Sequence, residues 1–324
     1  MTDTVPVIDI AALEKADSLR AIDAACRNWG FFQVTGHGIA DDVLAALFGA
    51  MRAFFEQPLK AKREILRTSE NPWGYYDQEL TKNTRDWKEV YDFGPADGKV
   101  IEPQWPEALP DFEAAIRNYY VHCERVAYRL LSALSMNLGL PSAGLEKYFG
   151  ASHTSFLRLN HYPACPTPAS PDGLNTAADG YLGVNHHTDA GVLTLLLQDA
   201  QPGLQVFRDG VWHLVEPRRD ALVVNIGDIV QVWSNDRYRA ALHRVITSPA
   251  AGRFSVPFFL NPSYATDYAP LPTMVDEEHP ARYRSINWGE FRSRRTAGDY
   301  ADYGEEVQIT QYYTQEERWR SSRR

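Results

Sequence analysis

The chain contains few cysteines, no excess of positive charge and no long apolar run, and each shortage excludes a class of protein. Three cysteines in 324 residues are too few, and odd in number, for a disulfide framework, which favours a reducing compartment. A net charge of −9 without a basic patch argues against nucleic acid as a partner. No apolar segment approaches the roughly 20 residues that cross a bilayer, so we expect no membrane partner.

The overall composition is that of a globular protein with a large core. Residues 1–4 hold neither the basic nor the apolar segment of a secretory signal, so the expected location is cytoplasmic. Hydrophobic residues make up 44% of the chain and aromatic residues 12%, and β-rich enzymes of more than about 200 residues often form one unit. We expect a monomer with one structural unit, in which a mixed α/β region at 1–110 packs on a catalytic core at 111–324.

Hydrophobic periodicity predicts a mainly β protein with flanking helices. Apolar side chains spaced three to four residues apart predict a long core helix over 111–138, ended by Gly139. A strand-rich body is predicted over 155–260. The other predicted elements are helices at 18–28, 41–55 and 287–296, and strands at 5–8, 31–35, 182–189, 192–197, 221–226 and 229–233.

The most informative motif is His187, Thr188 and Asp189 on one predicted strand. Because strand side chains alternate between faces, His187 and Asp189 project from the same face and can bind one ion together. His243, on a later segment bracketed by predicted strands, is the expected third ligand. Two imidazoles and one carboxylate leave one face of an octahedral ion open, the arrangement of non-haem Fe(II) oxygenases. A solvated surface pair is the alternative that this motif alone leaves open.

A second pair with the same spacing suits a carboxylate ligand. Arg253 and Ser255 lie two residues apart on a later predicted strand, so both side chains face the same way. A guanidinium group binds a carboxylate through two parallel hydrogen bonds, and a neighbouring hydroxyl donates one more. A surface arginine paired with an acidic neighbour is the alternative interpretation of the pair alone.

The predicted strand at 155–163 adds further polar side chains. Alternation places Arg158, Asn160 and Tyr162 on one face, where they need a polar ligand or each other. We expect Phe156, with Leu157 or Leu159, against the opposite packing surface.

Segments spread over nearly the whole chain resemble the Fe(II)/2-oxoglutarate-dependent dioxygenases, in the branch of isopenicillin N synthase and the plant flavonoid and gibberellin dioxygenases. These segments are 5–9, 29–34, 36–39, 181–194, 198–206, 225–228, 233–236 and 243–245. The resemblance implies a double-stranded β-helix core of the jelly-roll, cupin-like kind. The sequence departs from the family pattern at His161, where an aromatic residue is common, and at Ala164, where proline often stands.

The resemblance also implies ligands and co-substrates. The cofactor is Fe(II), and the co-substrates are 2-oxoglutarate and O2. Fe(II) is bound by His187, Asp189 and His243. The distal carboxylate of 2-oxoglutarate is bound by Arg253, Ser255 and Tyr162, and Asn160 is a further contact of this co-substrate.

Residues of the substrate pocket are harder to assign from the sequence. The candidates are Arg158, Tyr75, Trp87, Tyr91 and Phe259. Core packing explains each of the aromatic candidates equally well. The polar stretch 163–180 is either a lid or specificity element beside the site or a disordered insertion.

The expected activity is hydroxylation of a small organic metabolite, or its desaturation or cyclisation, with release of succinate and CO2. Two alternatives stay open. One is a 2-oxoglutarate-independent iron oxidase of the isopenicillin N synthase or ACC oxidase type, because those enzymes share both motifs. The other is a non-catalytic jelly-roll protein that binds a ligand, although the intact set of metal ligands argues against it.

Overall fold

The computed structural model describes residues 4–81, 83–94, 101–150, 152–170, 180–297, 307–315 and 317. The α-helices in these ranges are α1 (Ala16–Asn28), α2 (Asp41–Phe55), α3 (Leu59–Lys62), α4 (Phe112–Asn137), α5 (Asp228–Trp233) and α6 (Trp288–Ala297). The strands are β1 (Val7–Asp9), β2 (Phe31–Thr35), β3 (Gly74–Tyr76), β4 (Leu80–Thr81), β5 (Thr84–Arg85), β6 (Glu89–Phe93), β7 (Phe156–Tyr162), β8 (Leu182–His187), β9 (Leu193–Gln198), β10 (Leu204–Arg208), β11 (Val211–Leu214), β12 (Leu222–Ile226), β13 (His243–Ile246), β14 (Arg253–Leu260), β15 (Asp267–Tyr268) and β16 (Ile286–Asn287).

Two large sheets form the centre of the fold. The eight-stranded sheet has the order β1-β2-β12-β9-β14-β7-β6-β3, and the four-stranded sheet has the order β11-β10-β13-β8. Among the pairs of named strands in the described ranges, only β1 with β2 is parallel. Strands from the N-terminal region extend both edges of the larger sheet, with β1 and β2 at one edge and β6 and β3 at the other. This arrangement confirms the predicted mainly β class with flanking helices.

The two sheets face each other, and the cleft between them holds the candidate site. Side chains of both sheets share one buried cluster, which includes Val184 from β8, Leu196 from β9 and Val245 from β13. Successive side chains of a strand point to opposite faces, so Leu196 shares the cleft face of β9 with Thr194, and Val245 shares that of β13 with His243. A cleft between two curved sheets therefore receives side chains from several strands at once.

Helix α4 supports the larger sheet from outside this cleft. Its predicted apolar stripe is confirmed, since Ile116, Cys123 and Leu130 are each 1% exposed or less, and the ring of Tyr120 meets Phe258 of β14 at 5.1 Å. The helix ends where Gly139 adopts φ +78, a left-handed conformation that favours glycine. Among the described helices, none has both the length and the apolar character to cross a bilayer.

Most predicted elements appear within two residues of their expected ends, but one is wrong. Residues 229–233, predicted as a strand, belong to helix α5. Every residue of α5 is buried, and Gln231 is the only polar residue in 229–233, so this segment shows no helical period. The chain turns into α5 beside the metal motif, because the Asp228 N–H donates to the carbonyl oxygen of Asp189 at 2.7 Å.

The expected packing side of Phe156 is also wrong. Phe156 stands two residues before Arg158 on β7, so the two side chains share a face and border the same cavity. Leu157 and Leu159 lie on the other face and are fully buried in the main core. The strand therefore presents an aromatic ring, and not only polar groups, to the site.

Candidate active site

The two histidines of the predicted metal site lie directly opposite each other on neighbouring strands. His243 of β13 pairs in register with His187 of β8, and their ring centroids are 4.3 Å apart. Asp189 Oδ1 lies 3.5 Å from His187 Nε2 and 3.7 Å from His243 Nε2. One ligand atom from each residue lies within 4.8 Å of the others, a spacing at which one metal ion can bind all three.

Hydrogen bonds turn these ligand atoms toward a common point. His187 Nδ1 lies 2.8 Å from the carbonyl oxygen of Asn185, and His243 Nδ1 lies 3.0 Å from that of Ala241. A carbonyl oxygen only accepts, so each Nδ1 carries the proton and each Nε2 keeps a free lone pair. Both rings are therefore in the tautomer that a metal ion requires.

Two hydrogen bonds to the second oxygen of Asp189 fix the orientation of its carboxylate. Asp189 Oδ2 accepts a hydrogen bond from the hydroxyl of Thr194 and one from Asn225 Nδ2 at 2.7 Å. Thr194 of β9 and Asn225 of β12 lie opposite each other in the larger sheet. Asp189 Oδ1 is thereby left to face the two imidazoles.

The charges of the site also suit a cation. Burial, together with the neighbouring His187, lowers the pKa of His243 to about 4, so its ring is neutral at pH 7 and free to bind a metal. Burial acts to raise the pKa of Asp189, but His243, His187 and the hydrogen bond from Asn225 outweigh it and hold that pKa well below the ordinary value. Asp189 is therefore an anion.

A cavity of about 80 Å³ extends from the metal ligands toward Arg253. Arg253 pairs in register with Tyr162 and Ser255 with Asn160, across β14 and β7. Ser255 Oγ lies 3.4 Å from the Tyr162 hydroxyl, and Asn160 Nδ2 lies 3.3 Å from Ser255 Oγ. The structure thus brings together the four side chains that the sequence assigned to the co-substrate.

Arg253 is a buried cation with unused donors. It is 3% exposed, and its Nη2 donates to Gln198 Oε1 at 3.0 Å. Its Nε and Nη1 have no hydrogen-bond partner among the described residues. Because a buried guanidinium with free donors is costly, this end of the cavity fits a carboxylate.

A second, larger cavity of about 710 Å³ also borders the metal ligands His187 and Asp189. Both cavities are bordered by His187 and Asp189, and also by Val184, Lys88, Arg158 and Phe259. The larger cavity reaches helix α6 and residues 67–73, so it is wide enough for an organic molecule beside the metal ligands.

Comparisons with known proteins agree with this geometry. Residues 153–262 match the family model of the 2OG-Fe(II) oxygenase superfamily, and residues 5–111 match the model described as non-haem dioxygenase in morphine synthesis N-terminal. Flavanone 3-dioxygenase 2 from Oryza sativa subsp. japonica is 34% identical over 298 residues, which cover 89% of this chain and 82% of that relative. The chain belongs to the 2OG-Fe(II) oxygenase superfamily.

Solved structures extend the similarity to the fold and its cofactors. The crystal structure of JOX2 in complex with 2OG, Fe and JA has a TM-score of 0.82 and 30% identity, and the match covers 96% of this chain and 89% of JOX2. A full-length Neurospora crassa protein in complex with alpha-KG and thymine has a TM-score of 0.79 and 25% identity, with 90% of this chain and 96% of the fungal chain covered. The jelly-roll core is confirmed, and the protein is a dioxygenase that uses Fe(II), 2-oxoglutarate and O2.

The structure brings two of the five substrate candidates to the oxygenase's larger cavity. Phe259 and Arg158 line it. Arg158 binds Asp92 through two hydrogen bonds of 2.7 and 2.8 Å and also contacts Glu79 at 2.8 Å. Its charge is therefore balanced by neighbouring carboxylates.

The other three candidates do not line either cavity of the oxygenase. Tyr91 is fully buried, and its ring lies 5.4 Å from Phe54. Tyr75 is 1% exposed, and its hydroxyl donates to Glu89 at 2.6 Å. Trp87 donates from Nε1 to the carbonyl oxygen of Pro163 at 3.1 Å. These aromatic side chains pack the N-terminal region onto the barrel, the alternative that the sequence had left open.

The stretch 163–180, predicted as a lid or an insertion, lies partly outside the described residues, which omit 171–179. Its described ends are joined by two hydrogen bonds. The Ala169 N–H donates to the Tyr181 carbonyl, and the Tyr181 N–H donates to the Thr167 carbonyl, both at 3.0 Å.

A cluster of buried charges, of which the sequence analysis had named only Arg158, lies along the larger cavity. This cluster, which we call the ionic wall, consists of Arg67, Glu79, Asp86, Lys88, Asp92 and Arg158, and all of these residues except Asp86 border the cavity. Lys88 Nζ lies 2.9 Å from Glu79 Oε2 and 3.2 Å from Asp86 Oδ2. Burial acts to raise the pKa of Glu79, but Arg158, Lys88 and Arg67 outweigh it and hold that pKa well below the ordinary value.

Polar residues within apolar strands were the available signal for the other missed positions. Thr194 and Asn225 each interrupt an apolar run, and Gln198 ends one. A polar side chain in a buried strand needs a partner, so these residues could have been flagged. The target that Thr194 and Asn225 share, Asp189, depends on which strands are neighbours, and no local pattern indicates that.

Proposed function

We propose that this oxygenase oxidises a small organic molecule bound in the larger cavity, with Fe(II) bound by His187, Asp189 and His243. The observation that carries the assignment is the approach of Asp189 Oδ1 to within 3.5 and 3.7 Å of two imidazole Nε2 atoms. The other polar atom of each side chain is engaged by a hydrogen bond, so these three atoms remain for the metal. One carboxylate and two neutral imidazoles match the preferences of Fe(II) in oxygenases.

The smaller cavity suits 2-oxoglutarate. The distal carboxylate pairs with Arg253 and accepts hydrogen bonds from Ser255 and Tyr162, while Asn160 contacts the co-substrate. Support comes from the two unpartnered nitrogens of the Arg253 guanidinium and from its burial. Fe(II), when bound, supplies O2 activation coupled to the conversion of 2-oxoglutarate to succinate and CO2.

The protein's own side chains orient the reactants and exclude water. Burial of Asp189 and His243 keeps the metal side of the cleft dry. Arg253 fixes one end of the co-substrate and thereby its distance from the metal ligands. Phe259 borders both cavities and gives the substrate an apolar surface beside the metal. Hydroxylation is the expected outcome, and desaturation or cyclisation would use the same arrangement.

The substrate class follows from the cavity and from the relatives. A volume of about 710 Å³ accommodates a small organic molecule. The complexes of two similar proteins contain JA and thymine, respectively. A small molecule, and not a macromolecule, is therefore the proposed substrate.

A cytoplasmic monomer is the proposed physical state. The three cysteines are free and buried, and burial raises the pKa of the Cys123 thiol to about 12, so this thiol stays protonated. Such cysteines are compatible with a reducing compartment. Light scattering after size exclusion tests the monomer, and a mass of twice 36.7 kDa would contradict it.

The function is tested by a screen of small metabolites for succinate release that requires Fe(II). His243→Ala should abolish turnover and leave folding intact, because the ring supplies one of three metal ligands. His279→Ala is the matched control, since His279 is exposed on the surface. Substrate oxidation without succinate would favour the 2-oxoglutarate-independent oxidase, and absence of O2 consumption with every metabolite would favour a non-catalytic protein.

A further inference from the structure

Arg292 is a cation at the larger cavity that pairs with no carboxylate of the described residues. It lies on α6, is half-buried and borders the cavity. Its guanidinium lies 4.8 Å from the ring centroid of Phe156 and 5.7 Å from that of Trp288. Among the residues that the structure describes, no carboxylate forms an ion pair with it.

The other cations that border this cavity are already bound. In the ionic wall, three cations face three carboxylates, so their charges balance. Arg295 donates to the carbonyl oxygens of Thr188 at 2.8 Å and Val307 at 3.0 Å. Glu70 also borders the cavity but is exposed, where water screens its charge. Among the described residues that border this cavity, Arg292 is therefore the cation left to pair with a ligand.

An aromatic surface leads from Arg292 to the metal ligands. The ring of Phe156, on which the guanidinium rests, stacks on Phe259 with centroids 4.6 Å apart and an interplanar angle of 20°. Phe259 borders both cavities, and so do His187 and Asp189. A molecule with one end at Arg292 would lie along these two rings with its other end beside the metal.

We infer that the substrate is an organic acid whose carboxylate pairs with Arg292 and whose apolar body lies on Phe156 and Phe259. The inference rests on the proposed function and names the class of substrate that the site takes. A planar guanidinium binds a carboxylate through two hydrogen bonds, and its partial burial strengthens this pairing. The aromatic surface selects an apolar body and directs a carbon of that body toward the metal ligands.

The test compares acids with their neutral amides, using phenylacetate, cinnamate and cyclohexylacetate as probes. Binding to the complex with Fe(II) and 2-oxoglutarate is measured anaerobically by calorimetry, and oxidation is measured as succinate release. At least one acid should bind the wild-type protein more tightly than its amide. Arg292→Gln should weaken that binding by about 10- to 100-fold, the usual effect of losing a charge-assisted pair.

Two further variants make the result specific to the charge at this position. Arg292→Lys should retain part of the preference for acids, because the charge remains while the planar group is lost. Arg294→Gln is the control, since Arg294 is exposed on the same helix and does not border the cavity; it should bind acids as the wild type does.

The outcomes separate this inference from the proposed function. Equal binding of acids and amides, no binding of any acid, or an unchanged affinity in Arg292→Gln would overturn the inference. If acids bind through Arg292 but no succinate forms with any substrate, the pairing of Arg292 with a carboxylate stands, while the proposed function and the role of the acid as substrate fail. If succinate forms with neutral substrates only, the proposed function stands and the inference fails.

Discussion

Thr194 and Asn225 lie opposite each other on β9 and β12, and both donate a hydrogen bond to Asp189 Oδ2. This cross-strand pair fixes the one carboxylate of the metal site. Asp189 lies just beyond the end of β8 in the smaller sheet. The contact therefore joins the two sheets at the point where the metal binds.

Thr194→Val and Asn225→Leu should each weaken Fe(II) binding by about 10- to 100-fold, the usual cost of losing a group that orients a metal ligand. Each change leaves Asp189 Oδ2 with one donor fewer, so the carboxylate turns more freely. Anaerobic calorimetric titration with Fe(II) measures the effect. Thr194→Ser, which keeps the hydroxyl, is the control and should bind normally. Unchanged affinity in both altered proteins would contradict the orienting role.

Arg253→Gln should raise the KM for 2-oxoglutarate by about 10- to 100-fold, because a charge-assisted pair with the distal carboxylate is lost. The effect on kcat at saturation should be smaller, since Arg253 lies at the far end of the co-substrate. Succinate release against 2-oxoglutarate concentration is the measurement, and Arg253→Lys should fall between the two proteins. A KM that does not change would contradict the pairing of Arg253 with the distal carboxylate.

Glu79 should make the folded state sensitive to acid. Its pKa in the folded protein lies well below the ordinary value of 4.5, so the unfolded chain takes up a proton more readily than the folded chain. The stabilisation is therefore complete well above pH 4.5 and is lost as the pH falls toward the folded pKa. Melting temperatures between pH 7 and pH 3 measure this loss.

Glu79→Gln tests the role of Glu79 by removing its negative charge. The variant should be less stable at pH 7, by about 3 to 5 kcal/mol, because Arg67, Lys88 and Arg158 lose a buried partner. Its melting temperature should then fall less steeply with acid than that of the wild type. Glu64→Gln, at an exposed position outside the ionic wall, is the control. Parallel pH profiles for wild type and Glu79→Gln would show that Glu79 does not carry the effect.

Gly227→Ala should disrupt the metal segment. A Cβ at this position would lie 2.2 Å from the Gly191 carbonyl oxygen and 2.9 Å from that of Asp189, so the backbone on one side must move. We expect a loss of about 1 to 3 kcal/mol, typical of overpacking, together with weaker Fe(II) binding. Urea unfolding and metal titration measure the two effects.

Gly49→Ala is the matched change at a position with space. A Cβ at Gly49 meets no atom within 4 Å, and the residue lies inside helix α2. Alanine should therefore stabilise the protein by about 0.5 to 1 kcal/mol. Equal effects of the two substitutions would contradict the close approach at Gly227.

Local patterns in the sequence predicted a large part of the fold. The stripe of α4 appears as predicted because a helix with one apolar face has to bury that face, wherever its partners come from. The segment 229–233 was predicted wrongly because a short helix buried on every side leaves no periodic signal. Phe156 was assigned to the wrong face, although its spacing from Arg158 favoured the cavity side.

In the candidate site, too, some features follow from local sequence patterns and others depend on contacts between distant segments. The two-residue spacing of His187 and Asp189 is a local property of an extended chain, so the sequence contained it. The ionic wall joins residues 67–92 to Arg158, and such a contact depends on which strands become neighbours. The same applies to Tyr91, whose aromatic character suits a pocket and a core equally well until its surroundings are known.

The amino-acid order alone indicated the family, through motifs that resemble it. Short spacings and strand alternation in the sequence also indicated the mainly β class and the residue types able to bind a metal and a dicarboxylate. Only the tertiary structure decided that Thr194 and Asn225 orient Asp189, that the cations of the ionic wall are balanced, and that no carboxylate of the described residues pairs with Arg292. Those facts depend on distances between segments far apart in the chain, which are set by the packing of the two sheets against each other.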